Sequence, residues 1–121
     1  MEGRVLIVDD HDFNLQLLER LLELEGREVR AAASLAAAEE ALAEEQPALI
    51  VLDLNLPDGS GLELTRKLKS EPGTASIPIV ACTAAVKHSD EERALAAGCD
   101  AFVSKPIDLH QFSMIVSAML S

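Results

Sequence analysis

The chain has 121 residues, 49% hydrophobic and 26% charged, a size that suits one folded domain with its own core and leaves no room for a second. Its 21 acidic residues against 10 basic ones give a formal net charge of −11, which repels phosphate backbones and anionic lipid and argues against direct nucleic-acid or membrane binding. No apolar run approaches the ~18 residues of a membrane span, and Met1-Glu2-Gly3-Arg4 lacks the basic and apolar regions of a signal peptide.

Apolar patterns of two kinds alternate along the chain. Arg4-Val5-Leu6-Ile7-Val8-Asp9 is a continuous apolar run that reads as a strand buried on both faces. Leu15, Leu18, Leu22 and Leu17, Leu21, Leu24 recur at helical spacing, and Gly26 ends that helix. Residues 27–32 make a weaker strand. Ser34 N-caps an alanine-rich helix that runs to about Glu45 and is stopped by Pro47. Ala48-Leu49-Ile50-Val51-Leu52-Asp53 is a second strongly apolar strand, and Pro57-Asp58-Gly59-Ser60-Gly61 a turn-rich loop. A helix carrying Leu62, Leu64 and Leu68 is closed by Pro72-Gly73. Ile77-Pro78-Ile79-Val80-Ala81-Cys82 is the next strand. Ser89 with Glu92 forms a capping box for a helix that Gly98 ends. Asp100-Ala101-Phe102-Val103-Ser104 is the last strand. Asp108 with Gln111 caps a final helix with Phe112, Ile115, Val116 and Met119 on one face.

The order is a strand–helix unit repeated five times. It predicts an α/β fold: a (βα)5 doubly wound, five-stranded parallel sheet between two helical layers. Acidic clusters at Glu39-Glu40, Glu44-Glu45 and Asp90-Glu91-Glu92 read as solvated helix faces. Cys82 and Cys99 stand in no metal-ligand spacing. They read as small buried hydrophobes of a reduced, cytoplasmic protein.

In an open α/β sheet, chemistry gathers beyond the carboxyl ends of the strands. Asp9-Asp10, Asp53, Thr83 and Lys105 all fall at such ends. Each alone has a plain alternative: a helix cap, a turn residue, a loop hydroxyl, a solvated lysine. Together, three carboxylates at one edge repel one another. A divalent cation and the nearby lysine relieve that repulsion, and oxygen ligands suit Mg²⁺.

With these residues in place, the chain resembles a response-regulator receiver domain of the CheY-like superfamily, the phosphoacceptor of two-component signalling. The resemblance rests on Val5-Leu6-Ile7-Val8-Asp9-Asp10, on Asp53-Leu54-Asn55-Leu56-Pro57-Asp58-Gly59-Ser60-Gly61, on Cys82-Thr83-Ala84 and on Lys105-Pro106, in register along residues 1–121. It implies that Asp53 takes a phosphoryl group from a histidine kinase or phosphotransfer protein. It implies Mg²⁺ held by Asp10, Asp53 and the Asn55 backbone carbonyl, with Asp9 acting through a water. Thr83, Lys105 and the Ala84 backbone N–H are then expected on phosphoryl oxygens, and Lys105–Pro106 is expected to be a cis peptide. Phe102 takes the family's switch-aromatic position without a hydroxyl. On phosphorylation Thr83 is expected to swing and Phe102 to turn inward, repacking the 89–120 face for a downstream protein; packed in the core, Phe102 has an equally plain structural reading. Asn55 and Ala85 stand where the family tunes phosphate lifetime. Leu56 and Gly59 replace methionines common in relatives.

His11 reads as an exposed loop residue, with a relay or a metal ligand as the alternative, and His88 and His110 read as helix-start residues. A dehalogenase-type phosphatase needs a second aspartate where Asn55 stands, as well as a cap domain. A flavodoxin-like cofactor site needs a Gly-rich phosphate cradle, whereas Asp9-Asp10-His11-Asp12 repels phosphate. The expectation is therefore a phosphoacceptor rather than an enzyme with a separate substrate. Asp10-His11-Asp12-Phe13-Asn14 resembles hybrid-kinase receivers and stand-alone DivK-type regulators, the 98–107 run resembles the latter, and Met1 close before the first strand fits an intact N-terminus. A stand-alone regulator is favoured over a receiver cut from a larger protein.

Overall fold

The computed structural model of the chain describes residues 4–84 and 88–120, the side chains of 88–90 excepted. In chain order the elements are β1 (Val5–Val8), α1 (Asp12–Leu24), β2 (Val29–Ala32), α2 (Leu35–Glu44), β3 (Leu49–Asp53), β4 (Asn55–Leu56), β5 (Gly59–Ser60), α3 (Gly61–Ser70), β6 (Ile79–Thr83), α4 (His88–Ala97), β7 (Ala101–Ser104) and α5 (Leu109–Leu120). Five strands form one parallel sheet in the order β2-β1-β3-β6-β7. The strand order reverses direction beside β1, and the expected doubly wound (βα)5 architecture results.

The period of two along each strand divides the core. Val5, Ile7, Leu49, Val51, Val80, Cys82 and Val103 point to one face, where Leu18 and Leu22 of α1 and Phe112 and Val116 of α5 cover them. Leu6, Val8, Ile50, Leu52, Ile79 and Ala81 point to the other, under α2, α3 and α4. Every residue of β1, β3 and β6 is buried, which is why these strands read as unbroken apolar runs.

Helix ends follow local chemistry. Ser34 Oγ accepts the Ala37 N–H at 3.1 Å, and Asp108 Oδ1 accepts the Gln111 N–H at 3.0 Å. Gly26 and Gly98 take φ of +84° and +113°, a region in which a side chain is costly. Each lets the chain turn back on its helix: Arg27 N–H bonds Leu22 C=O, and Cys99 N–H bonds Ala94 C=O, both at 3.0 Å.

The structure refines two readings. On α1 the Leu18 and Leu22 stripe is buried, but Leu17 and Leu24 face solvent, Leu24 at 78% exposure. One sheet face covers only one stripe of a helix, so a leucine-rich helix has leucine to spare. The segment after Asp53 is also more than a loop. β4 and β5 pair antiparallel, Asn55 with Ser60 and Leu56 with Gly59, around Pro57-Asp58. Two-residue strands show no periodicity, so only the turn residues signal them. The Ser89–Glu92 capping box and Ala85 lie outside what the structure describes.

Candidate functional site

Strand parity assembles the site. Asp9 continues the Val5, Ile7 series of β1, Asp53 the Leu49, Val51 series of β3, and Lys105 the Val103 series of β7. All three emerge on the α1 and α5 side at the carboxyl edge of the sheet. Asp9 and Asp53 are buried at 2% and 4% exposure, a costly place for a carboxylate without partners.

The partners are present. Lys105 Nζ donates to Asp9 Oδ2 and to Asp53 Oδ2, both at 2.9 Å. The second oxygen of each carboxylate accepts a backbone N–H, that of His11 on Asp9 at 2.9 Å and that of Asn55 on Asp53 at 3.0 Å. Burial alone lowers the Lys105 pKa, yet its hydrogen bonds and charge interactions with Asp53 and Asp9 together outweigh burial and raise it. The lysine therefore stays an ammonium. Cys82, paired in register with Asp53, is pushed up to about 12, chiefly by burial. It remains a neutral thiol rather than a nucleophile.

Asp9, Asp10, His11 and Asp53 each offer a ligand atom within 4.8 Å of the others. Asp10 is on the solvent side and the His11 ring is largely exposed, its Nδ1 3.6 Å from both Asp9 and Asp10. Three carboxylates against one ammonium leave negative charge that a hard divalent cation would neutralise. The donor set fits a metal ion. His11, weighed from the sequence as an exposed loop residue, a relay or a metal ligand, is exposed and borders this cluster.

Thr83, fully buried, lies on the opposite sheet face, in series with Ile79 and Ala81. Its Oγ1 accepts the Asn55 Nδ2–H at 3.0 Å. Asn55 thus touches both Asp53 and Thr83, by its backbone and its side chain respectively. From the sequence, Asn55 has a backbone-carbonyl role and a place among the lifetime-tuning positions, but spacing gives no sign of a side-chain link across 28 residues. Ala84 follows β6 directly. Phe102 pairs with Ala81 in the sheet and is half-buried against the same apolar layer as Thr83. Lys105–Pro106 is a cis peptide.

Residues 5–117 match the response regulator receiver domain family. The chain belongs to that family. It is 38% identical over 120 residues to the polar-differentiation response regulator DivK of Brucella ovis, covering 99% of this chain and 98% of that protein. Among solved structures it resembles a two-component response regulator from Clostridium difficile, at 28% identity and a TM-score of 0.91, covering 98% of this chain and 96% of that one. It also resembles the signal receiver domain of a histidine kinase from Syntrophus aciditrophicus, at 30% identity and a TM-score of 0.89, covering 98% and 89%. The chain is a receiver of two-component signalling with the CheY-like fold. Among the described residues no helix is long and apolar enough to cross a membrane.

Proposed function

We propose that Asp53 is the phosphoacceptor of this receiver, supplied by a histidine kinase or phosphotransfer protein. One observation carries the reading: a buried carboxylate at a strand end whose two oxygens are fixed by Lys105 and by the Asn55 N–H, beside two further aspartates. A carboxylate oxygen of Asp53 attacks the phosphorus of a phosphohistidine. The P–N bond breaks, its electron pair goes to the imidazole nitrogen, and an acyl phosphate forms.

Transfer needs an in-line nucleophile and positive charge on the equatorial oxygens. Lys105, already in contact with Asp53, provides one charge. Mg²⁺, when bound, supplies the rest and screens the incoming phosphoryl group from the carboxylates. Asp10, Asp53 and the Asn55 carbonyl would hold it, with Asp9 through a water. The Thr83 hydroxyl and the Ala84 N–H would receive the phosphoryl oxygens. The chain is then a phosphoacceptor and switch, with autodephosphorylation as its own chemistry, rather than an enzyme acting on a separate substrate.

Incubation with a phosphorylated kinase and Mg²⁺ should label Asp53 with an acid-stable, base-labile bond, and Asp53→Asn should abolish labelling. Stoichiometric labelling of the variant would overturn the assignment. We further infer a stand-alone cytoplasmic regulator, supported by the end-to-end match to DivK. The likeness to a histidine-kinase receiver favours a second reading, a receiver within a larger protein. Immunoblotting the native protein from its host separates them: a stand-alone regulator runs at the mass of these 121 residues, whereas a receiver within a larger protein runs well above it.

A further inference from the structure

The hairpin after Asp53 is fastened at its outer end as well as its inner one. Asp58, at its tip, accepts the Leu35 N–H on Oδ1 at 2.9 Å and the Ala36 N–H on Oδ2 at 3.0 Å. These are the first two amides of α2, residues far from Asp58 in sequence. Ser34 supplies the third cap, on the Ala37 N–H. An anionic oxygen on each of two orphan amides at a helix start is a strong arrangement. It also draws the Asp58 carboxyl below its ordinary pKa.

The contact is close. Gly59 has φ +150°, and a Cβ there would lie 2.8 Å from Leu35 Cδ1. At the hairpin's base, a Cβ on Gly61 would lie 2.6 Å from the Asp53 carbonyl oxygen. Glycine is favoured at residue 59 by its positive φ and at residue 61 by the Asp53 backbone, which leaves no room for a Cβ where the hairpin meets the end of β3. Its first residue is Asn55, which holds Asp53 Oδ1 and Thr83 Oγ1. The structure therefore joins α2 to the acceptor carboxylate through six residues clamped at both ends.

We propose that Asp58 is a positioning residue for phosphoryl transfer: by tying the Asn55–Ser60 hairpin to the start of α2, it fixes Asn55 where Asn55 aligns Asp53 and holds Thr83. This rests on the reading of Asp53 as acceptor. Asp58 is exposed and does not reach the reacting atoms, so its effect passes wholly through Asn55. Small displacements of an aligned nucleophile are expensive in rate, and supporting residues typically matter about tenfold or more.

The test compares Asp58→Ala, Asp58→Asn and Ser34→Ala in the full chain, with phosphoramidate and Mg²⁺ as donor and cofactor. Ser34→Ala removes a cap from the same helix turn without touching the hairpin. Asp58→Ala should lower the maximal phosphorylation rate about tenfold with little change in donor KM, and should shift the NMR signals of the Asn55 backbone and side-chain amides. Asp58→Asn, which keeps an acceptor oxygen, should recover part of both. Ser34→Ala should destabilise α2 yet leave rate and Asn55 signals near wild type. Equal slowing by Ser34→Ala and Asp58→Ala would overturn the proposal in favour of helix integrity alone. Unmoved Asn55 signals or an unchanged rate in Asp58→Ala would also overturn it. A wild-type chain that takes no phosphoryl group at Asp53 would overturn the acceptor reading instead, an outcome seen before any variant is compared.

Discussion

The two edges of the sheet each hold a lysine bonded to aspartate, and they differ in how the charge closes. At the amino edge, Lys69 Nζ donates to Asp100 Oδ2 at 3.1 Å and to the Ile77 and Ala75 carbonyls at 2.7 and 3.2 Å. The same Asp100 oxygen accepts the Ile79 N–H at 2.8 Å. One cation meets one anion, the three ammonium hydrogens have three acceptors, and the contacts tie α3, the chain before β6 and the start of β7 together. At the carboxyl edge, Lys105 meets two buried aspartates with Asp10 close by. That cluster keeps a surplus of negative charge. A closed pair builds the fold, while an open one is left able to accept a cation and a phosphoryl group.

The sharpest way to break this contrast is to remove each lysine. Lys105→Ala should slow phosphorylation of Asp53 by about a hundredfold, the usual cost of losing one charge-stabilising donor. A rate within a few-fold of wild type would mean the carboxyl-edge lysine is merely structural. Lys69→Met should leave that rate intact and lower stability by about 1.5–3 kcal/mol, the range for hydrogen bonds to charged groups. Denaturant unfolding measures it. Loss of phosphorylation in folded Lys69→Met would erase the distinction between the edges.

The sequence discloses these edges unequally. Asp9, Asp53 and Lys105 are legible because strand ends can be found from apolar runs and the parity of a strand carries each side chain to a known face. Lys69 and Asp100 sit on no such pattern. Lys69 looks like any exposed helix lysine until the loop of residues 71–78 folds over it. The same holds for Asp58, whose partners lie across the fold, and for the Asn55–Thr83 bond. Elements are set by short-range patterns, whereas these links depend on where packing brings distant backbone amides. Leu17 and Leu24 of α1 are the opposite case: the helical pattern is present, but the sheet has no more face to cover them.

A smaller effect follows from the surplus charge. Mg²⁺ binding only the folded state should stabilise it by about 1.4 kcal/mol at ten times its Kd. Asp10→Asn should weaken Mg²⁺ binding while leaving the metal-free protein no less stable, because a carboxylate repelled by its neighbours is gone. Thermal melts with and without Mg²⁺ decide it. A metal-free variant clearly less stable than wild type, with Mg²⁺ affinity unchanged, would place Asp10 among structural groups.

The smallest expected effect is the alkaline titration of Lys105. Its ordinary value is about 10.4, and the folded protein raises it through Asp53 and Asp9 against the opposing pull of burial. A group with a raised folded pKa contributes stability that is complete below the unfolded value and fades as pH rises through the folded one. In metal-free protein the stability gap between wild type and Lys105→Met should therefore be widest near neutral pH and narrow above about pH 10.4, as wild type loses the charge the variant never had. Taking the difference between the two curves removes the groups common to both proteins. The chain has no tyrosine, and the Cys82 thiol beside the cluster, pushed up to about 12, stays neutral through most of that pH window. Urea midpoints measured along this range give the gap directly. Parallel curves for wild type and variant would show that the ammonium is not held by the two carboxylates in solution, and the carboxyl edge would lose the charge coupling that sets it apart from the amino one.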